Sequence, residues 1–113
     1  MDLDRYTVAL LVLNDAAPQL DDETEARLQD AHMSHLADLY DAGVLVAAGP
    51  LLDGRFRGLS ILRAGLDEAR ALTNADPAVQ AGRYTVEVMP WLVPAGTVEF
   101  THGRLPRSMS EVR

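Results

Sequence analysis

The sequence predicts an α+β fold with the element order β-α-β-β-α-β, and three observations predict it. Apolar runs too short for helices stand at residues 6–13, 44–48 and 58–63. Apolar positions recur at helical spacing over residues 21–41 and 64–74. A final stretch, 83–93, alternates between apolar and polar residues with the period of a half-buried strand. That order within about 90 residues is the ferredoxin-like, split βαβ arrangement: an antiparallel four-stranded sheet with both helices on one face.

Taken in order, Tyr6-Thr-Val-Ala-Leu-Leu-Val-Leu13 is apolar and β-branched throughout and stops at Asn14-Asp15, which reads as a strand buried on both faces. Residues 16–19, with Pro18, form a loop. Asp21, Asp22, Glu23 and Glu25 then place carboxylates where a helix N-terminus carries partial positive charge. The helix runs to Asp41, with Ala26, Leu28, Ala31, Leu36, Leu39 and Tyr40 on its apolar stripe and Gly43 just past its end. Residues 44–48 form a second strand closed by Gly49-Pro50. Asp53-Gly54 signals a turn, so residues 58–63 pair back as a hairpin. The second helix spans 64–74 and ends before Asp76-Pro77, because a residue preceding proline is pushed out of the helical region. Residues 78–82 read as one more turn. After the last strand, Pro94-Ala-Gly96 breaks the chain; residues 97–100 read as a short added strand and 102–113 as a loose tail or one packed on a neighbour. Residues 1–93 are therefore expected to form the domain and 94–113 a C-terminal extension.

Composition narrows the function. The 113 residues carry 17 acidic against 10 basic side chains, a net charge of −7, so a phosphate-backbone partner is disfavoured and no nucleic acid is expected. Every basic residue is Arg. With no Lys, Schiff-base chemistry is excluded, and with no Cys so are thiolate catalysis and thiolate-held zinc. The longest apolar runs fall well short of the roughly 20 residues that span a bilayer, and Met1-Asp-Leu-Asp-Arg5 is acidic where a leader would be basic. A cytoplasmic protein without a membrane partner is expected. Strands apolar on both sides, with helices on one side only, imply that two sheets pack face to face in a homodimer.

His32-Met-Ser-His35-Leu36, then Gly43-Val-Leu-Val-Ala-Ala-Gly49-Pro50, then a helix ending in Asp76-Pro77 and a strand ending Met89-Pro90-Trp91 together resemble the YciI-like (YCII-related) family over about residues 5–93. The resemblance implies a small, cofactor-free dimeric α+β barrel. It also implies a His on the first helix paired with the Asp of an Asp-Pro turn, which fall on His32 and Asp76. Known chemistry in the family includes chloride removal from a chlorinated hydroxylated ring, and related barrels host lactone isomerases and cofactor-free oxygenases. The shared theme is acid–base work on activated small molecules.

Weighed one by one, His32 lies four residues from both Leu28 and Leu36, on the inward stripe, and reads either as a core histidine or as a general base. A carboxylate on its far nitrogen would fix the tautomer that a base needs. Asp76 reads equally as an ordinary turn residue, and the two roles coexist. His35, one turn on, borders the pocket or faces solvent. A metal site built on His32 and His35 would need Asp76 or Asp38 as its third ligand, and no metal is expected. Gly49 and Pro50 line the pocket mouth by resemblance, with a backbone N–H near Gly49 as a candidate oxyanion donor. Ser60 offers a hydroxyl from the sheet, and Arg57 a charge for an anionic ligand. Tyr6, Tyr84 and Trp91 read as core or interface residues. Two functions stay open: an enzyme in which His32 removes a proton from a phenol or acidic C–H before elimination, isomerisation or cyclisation, and a non-catalytic small-molecule-binding or regulatory module.

Overall fold

A computed structural model describes residues 1–112. The strands are β1 (Leu3–Leu13), β2 (Leu45–Pro50), β3 (Phe56–Leu62) and β4 (Tyr84–Pro94), and the helices are α1 (Asp22–Asp41), α2 (Leu66–Asn74) and α3 (Pro77–Gln80). They form one antiparallel sheet in the order β2-β3-β1-β4, with β1 pairing β3 on one side and β4 on the other. This is the ferredoxin-like α+β fold.

Local chemistry sets the ends of the elements. The Asp21 side chain accepts from the Thr24 N–H at 2.7 Å and caps α1, while Gly43, at φ +80°, turns the chain out of the helix in a conformation that a Cβ would oppose. Between β2 and β3, Asp53 accepts from the backbone of Arg55 and Phe56 and so holds the hairpin turn.

Period-two alternation sorts the sheet into two faces. Thr7, Ala9 and Leu11 of β1 point toward the helices together with Leu62, Ser60 and Gly58, their β3 partners. Ala9, Leu45 and Leu62 pack there against Tyr40 of α1 and Ala69 of α2, each nearly sealed from solvent. Gly58 is small for a reason: a Cβ at that position would come within 3.3 Å of Leu11 Cδ1. The opposite face carries Val8, Leu10, Leu59, Ile61 and Met89, apolar side chains that are only half buried or exposed.

Four expectations need correction. Gly49-Pro50 does not close β2 but belongs to it. β2 is an edge strand, where the missing proline N–H faces away from the ladder and costs no pairing. Residues 97–100 form no strand: the chain turns at Gly96, φ +84°, just past the end of β4. The tail is not loose; it folds back along α1. Arg107 bonds Asp38 and Asp41 at 2.8 Å each, Met109 N–H bonds Asp30 at 2.8 Å, and His102 stacks on Tyr40 with ring centroids 5.3 Å apart. Ala26, placed on the inward stripe, is exposed; the side chains that α1 buries are Met33, Ala37 and Tyr40, further along the helix.

Candidate active site

His32 leaves α1 toward the short turn between α2 and α3. There the residue before Pro77 cannot continue a helix, and Asp76 instead caps α3, its Oδ1 accepting from Ala78 N–H at 2.9 Å. Its second oxygen, Oδ2, lies 2.6 Å from His32 Nδ1. The Asp76 side chain is 2% exposed and that of His32 is 12% exposed. A carboxylate oxygen can only accept, so His32 carries its proton on Nδ1 and presents Nε2 outward. Nε2 has no hydrogen-bond partner among the described residues, and it is not sealed from solvent.

Nε2 is therefore open to the cleft that His32 lines, a cavity of about 620 Å³. Gln29, His32, Met33 and Leu36 of α1 form one wall, and the β2–β3 hairpin forms another. Ser60 lies on the floor, and its hydroxyl makes no hydrogen bond among the described residues and is not sealed away. The volume suits a small aromatic molecule, and the lining is mainly apolar with a few convergent polar groups.

The structure brings together most of the residues singled out from sequence. His32, Gly49, Pro50, Arg57 and Ser60 line this cleft, and Asp76 stands behind His32. Two expected roles do not survive. Leu51 N–H bonds Arg57 C=O, so the ladder's alternation puts Gly49 and Leu59 in the same hydrogen-bonded phase; the Gly49 N–H is spent on β3 and Pro50 has none to give. Gly49 and Pro50 themselves therefore have no free backbone N–H to offer as an oxyanion donor. His35 does not line the cleft: its Nε2 donates to the Leu72 carbonyl at 2.9 Å, tying α1 to α2, and the gap beside it is only about 10 Å³, room for no more than a water. Arg57 reaches the cleft only at its rim, since alternation carries it to the open sheet face with Leu59 and Ile61.

Other cleft residues had no functional mark in the sequence. Leu105, Pro106, Met109 and Val112 come from the tail, which has no periodicity to announce its path. Tyr84, at the start of β4, lines the cleft with its ring centroid 6.5 Å from that of His32. Arg83 donates through Nε to Tyr84 Oη at 3.1 Å and through Nη1 to Glu25 at 2.6 Å. Partial burial works against the Arg83 charge, but the hydrogen bonds to Tyr84 and Glu25 outweigh it and hold the guanidinium above its ordinary value. In the structure Tyr84 shares its period-two phase with Val86 and Val88, which pair with Leu11 and Ala9 on the helix face; the sequence marked it only as a core or interface residue.

No group of three or more His, Cys, Asp or Glu gathers among the described residues as a metal site would require, and no helix among them is long and apolar enough to cross a membrane.

The model of the YCII-related domain matches residues 8–92. Among solved structures, the chain is similar to 5-chloro-2-hydroxyhydroquinone dehydrochlorinase from Burkholderia phenoliruptrix AC1100, determined in complex with 2,5-dihydroxybenzoquinone. The TM-score is 0.58 at 18% identity, over 76% of this chain and 92% of that one. At that identity the likeness concerns the fold. No curated protein matches the chain.

Proposed function

The chain belongs to the YCII-related domain family, and from that premise we propose that it is a cofactor-free acid–base catalyst acting on a small phenolic or otherwise activated organic molecule. The single observation that carries this reading is the 2.6 Å contact between His32 Nδ1 and Asp76 Oδ2, with Nε2 left open to a cleft of about 620 Å³. In the proposed step Nε2 takes a proton from a phenol or an acidic C–H. The imidazolium that forms then faces the buried Asp76 carboxylate, which offsets its charge. Elimination, isomerisation or cyclisation follows from the resulting anion. The structural neighbour, a dehydrochlorinase of a chlorinated hydroxyhydroquinone, is consistent with this class of substrate.

The same reading makes the protein a homodimer. Val8, Leu10, Leu59, Ile61 and Met89 leave an apolar sheet face without a helix over it, and a second copy packed face to face would cover it and complete a barrel. In this reading residues 1–93 are the catalytic domain and the tail is an extension that adds a wall to its cleft.

The test is binding and turnover with substituted hydroquinones, using 2,5-dihydroxybenzoquinone as the binding probe and chloride release from a chlorinated hydroxyhydroquinone as the turnover assay. The wild type is expected to bind the probe, and His32→Gln to keep binding while turnover falls by about 10²–10⁴-fold. Binding without turnover of any phenol or activated C–H acid would replace catalysis by a small-molecule-binding module. Turnover unaffected by His32→Gln would remove His32 from the chemistry.

A further inference from the structure

If His32 removes a proton, negative charge appears on a substrate oxygen, and some group in the cleft must receive it. The backbone at Gly49 is occupied by the sheet ladder. The uncharged side-chain donors that line the cleft are the Gln29 amide and the hydroxyls of Ser60 and Tyr84, and only Tyr84 is hydrogen-bonded to a positive charge.

Tyr84 Oη already accepts the Arg83 Nε–H, which withdraws electron density from the phenol and leaves its own O–H to donate. That proton has no acceptor among the described residues. Arg83 is itself fixed by Glu25 at 2.6 Å, so the chain Glu25–Arg83–Tyr84 runs from the start of α1 to the cleft much as Asp76–His32 does from the other side. The two chains end at rings whose centroids lie 6.5 Å apart.

A second observation points the same way. The protein has 17 acidic side chains and a net charge of −7, yet among the described residues none of them lines the cleft, while His32, Arg57 and Arg83 do. An acidic protein that keeps its acidic side chains out of this cavity has a cavity suited to an anion.

Building on the acid–base reading of the cleft, we propose that Tyr84 is its second catalytic group and that the ligand class is a ring hydroxyl stabilised as its anion. The substrate X–H bond breaks with its proton passing to His32 Nε2. The electron pair stays on the substrate and delocalises onto an oxygen, and that oxygen accepts the Tyr84 O–H. In an isomerisation the proton returns to another carbon; in an elimination the pair forms a new π bond within the substrate as the bond to the leaving group breaks, and that group departs as an anion with the electrons of its own bond. Arg83 is a positioning residue that acts through Tyr84.

The experiment is equilibrium binding of 4-nitrophenol to the full chain, followed by absorbance above and below the probe's own ionisation, for wild type, Tyr84→Phe and Arg83→Met. Tyr84→Phe keeps the ring packed on Leu11 and Ala78 and removes only the hydroxyl. It is expected to weaken binding of 4-nitrophenolate by about tenfold, the loss of one hydrogen bond to a charged group, and to change binding of neutral 4-nitrophenol by less than about threefold. Arg83→Met should reproduce the selective loss in part, whereas a merely structural role would weaken both forms alike. Equal losses for the two forms, or none, would overturn the assignment of Tyr84 and leave the His32 reading standing. Failure of the wild type to bind either form overturns the phenolic substrate class and the Tyr84 assignment with it.

Discussion

Asp76 holds His32 across 44 residues of sequence, Oδ2 to Nδ1 at 2.6 Å, while its other oxygen caps α3. One buried carboxylate thus fixes both the short helix and the tautomer of the imidazole that opens on the cleft. The two roles predict different consequences for different substitutions.

Asp76→Asn keeps the shape and an acceptor for Ala78 N–H, but it turns an amide N–H toward His32. His32 must then accept at Nδ1 and carry its proton on Nε2, where no lone pair is left to act as a base. Long-range ¹⁵N–¹H NMR of the imidazole is expected to show the Nδ1–H tautomer in wild type and the Nε2–H tautomer in the variant. The same tautomer in both proteins would uncouple the pair.

Asp76→Ala removes the cap and the partner together. With the side chain 2% exposed, both the Ala78 N–H and His32 Nδ1 lose a buried partner, and urea unfolding should register a loss of about 3 kcal/mol. Asp76→Asn should cost distinctly less.

The open sheet face predicts the assembly. Sedimentation of the wild type should give twice the monomer mass, and Ile61→Glu, a charge in the middle of that face, should give a folded monomer with unchanged far-ultraviolet dichroism. A wild type that sediments as a monomer would contradict the face-to-face barrel.

Arg107 predicts how the tail is fastened. Its pairs with Asp38 and Asp41 are solvent-exposed and open to screening, so Arg107→Ala should leave the thermal midpoint nearly unchanged. Amide exchange at Met109 and Glu111 should nevertheless speed up by about threefold or more, and high salt should produce the same effect in wild type.

Asp21 gives the stability a pH dependence of defined sign. Hydrogen bonds from the Thr24 side chain and backbone hold its carboxyl below its ordinary value, so the unfolded chain takes up the proton first as pH falls. Its contribution is complete above the ordinary carboxylate value and is lost as pH drops through the lowered one. Asp21→Asn retains a cap without a titrating group, and urea unfolding from pH 6 to pH 2 should show a shallower acid decline in that variant.

The core elements were legible in the sequence because each rests on short-range physics. Asp21 with Thr24, Gly43 past the end of α1, Asp53 in the hairpin and Asp76 before Pro77 act within a few residues of themselves, and the strand and helix periods are local patterns. His32 and Asp76 were legible as a pair only through the family resemblance, since nothing in their spacing brings them together.

What the sequence determined by itself was the order of elements, the antiparallel sheet with its helices on one side, and a chain without lysine or cysteine chemistry. Tertiary structure alone decided which nitrogen of His32 meets Asp76, that His35 ties α1 to the Leu72 carbonyl rather than facing the cleft, and that the Gly49 N–H is bound within the sheet. It also decided that an aperiodic tail lies along α1 and walls the cleft, and that Arg83 and Tyr84 stand opposite His32. The reason is physical: periodicity and capping report on neighbours within a turn or two, whereas the hydrogen bonds of His32, His35 and the tail to the rest of the fold join residues 37 to 79 positions apart, and the direction of each is fixed only when the elements pack.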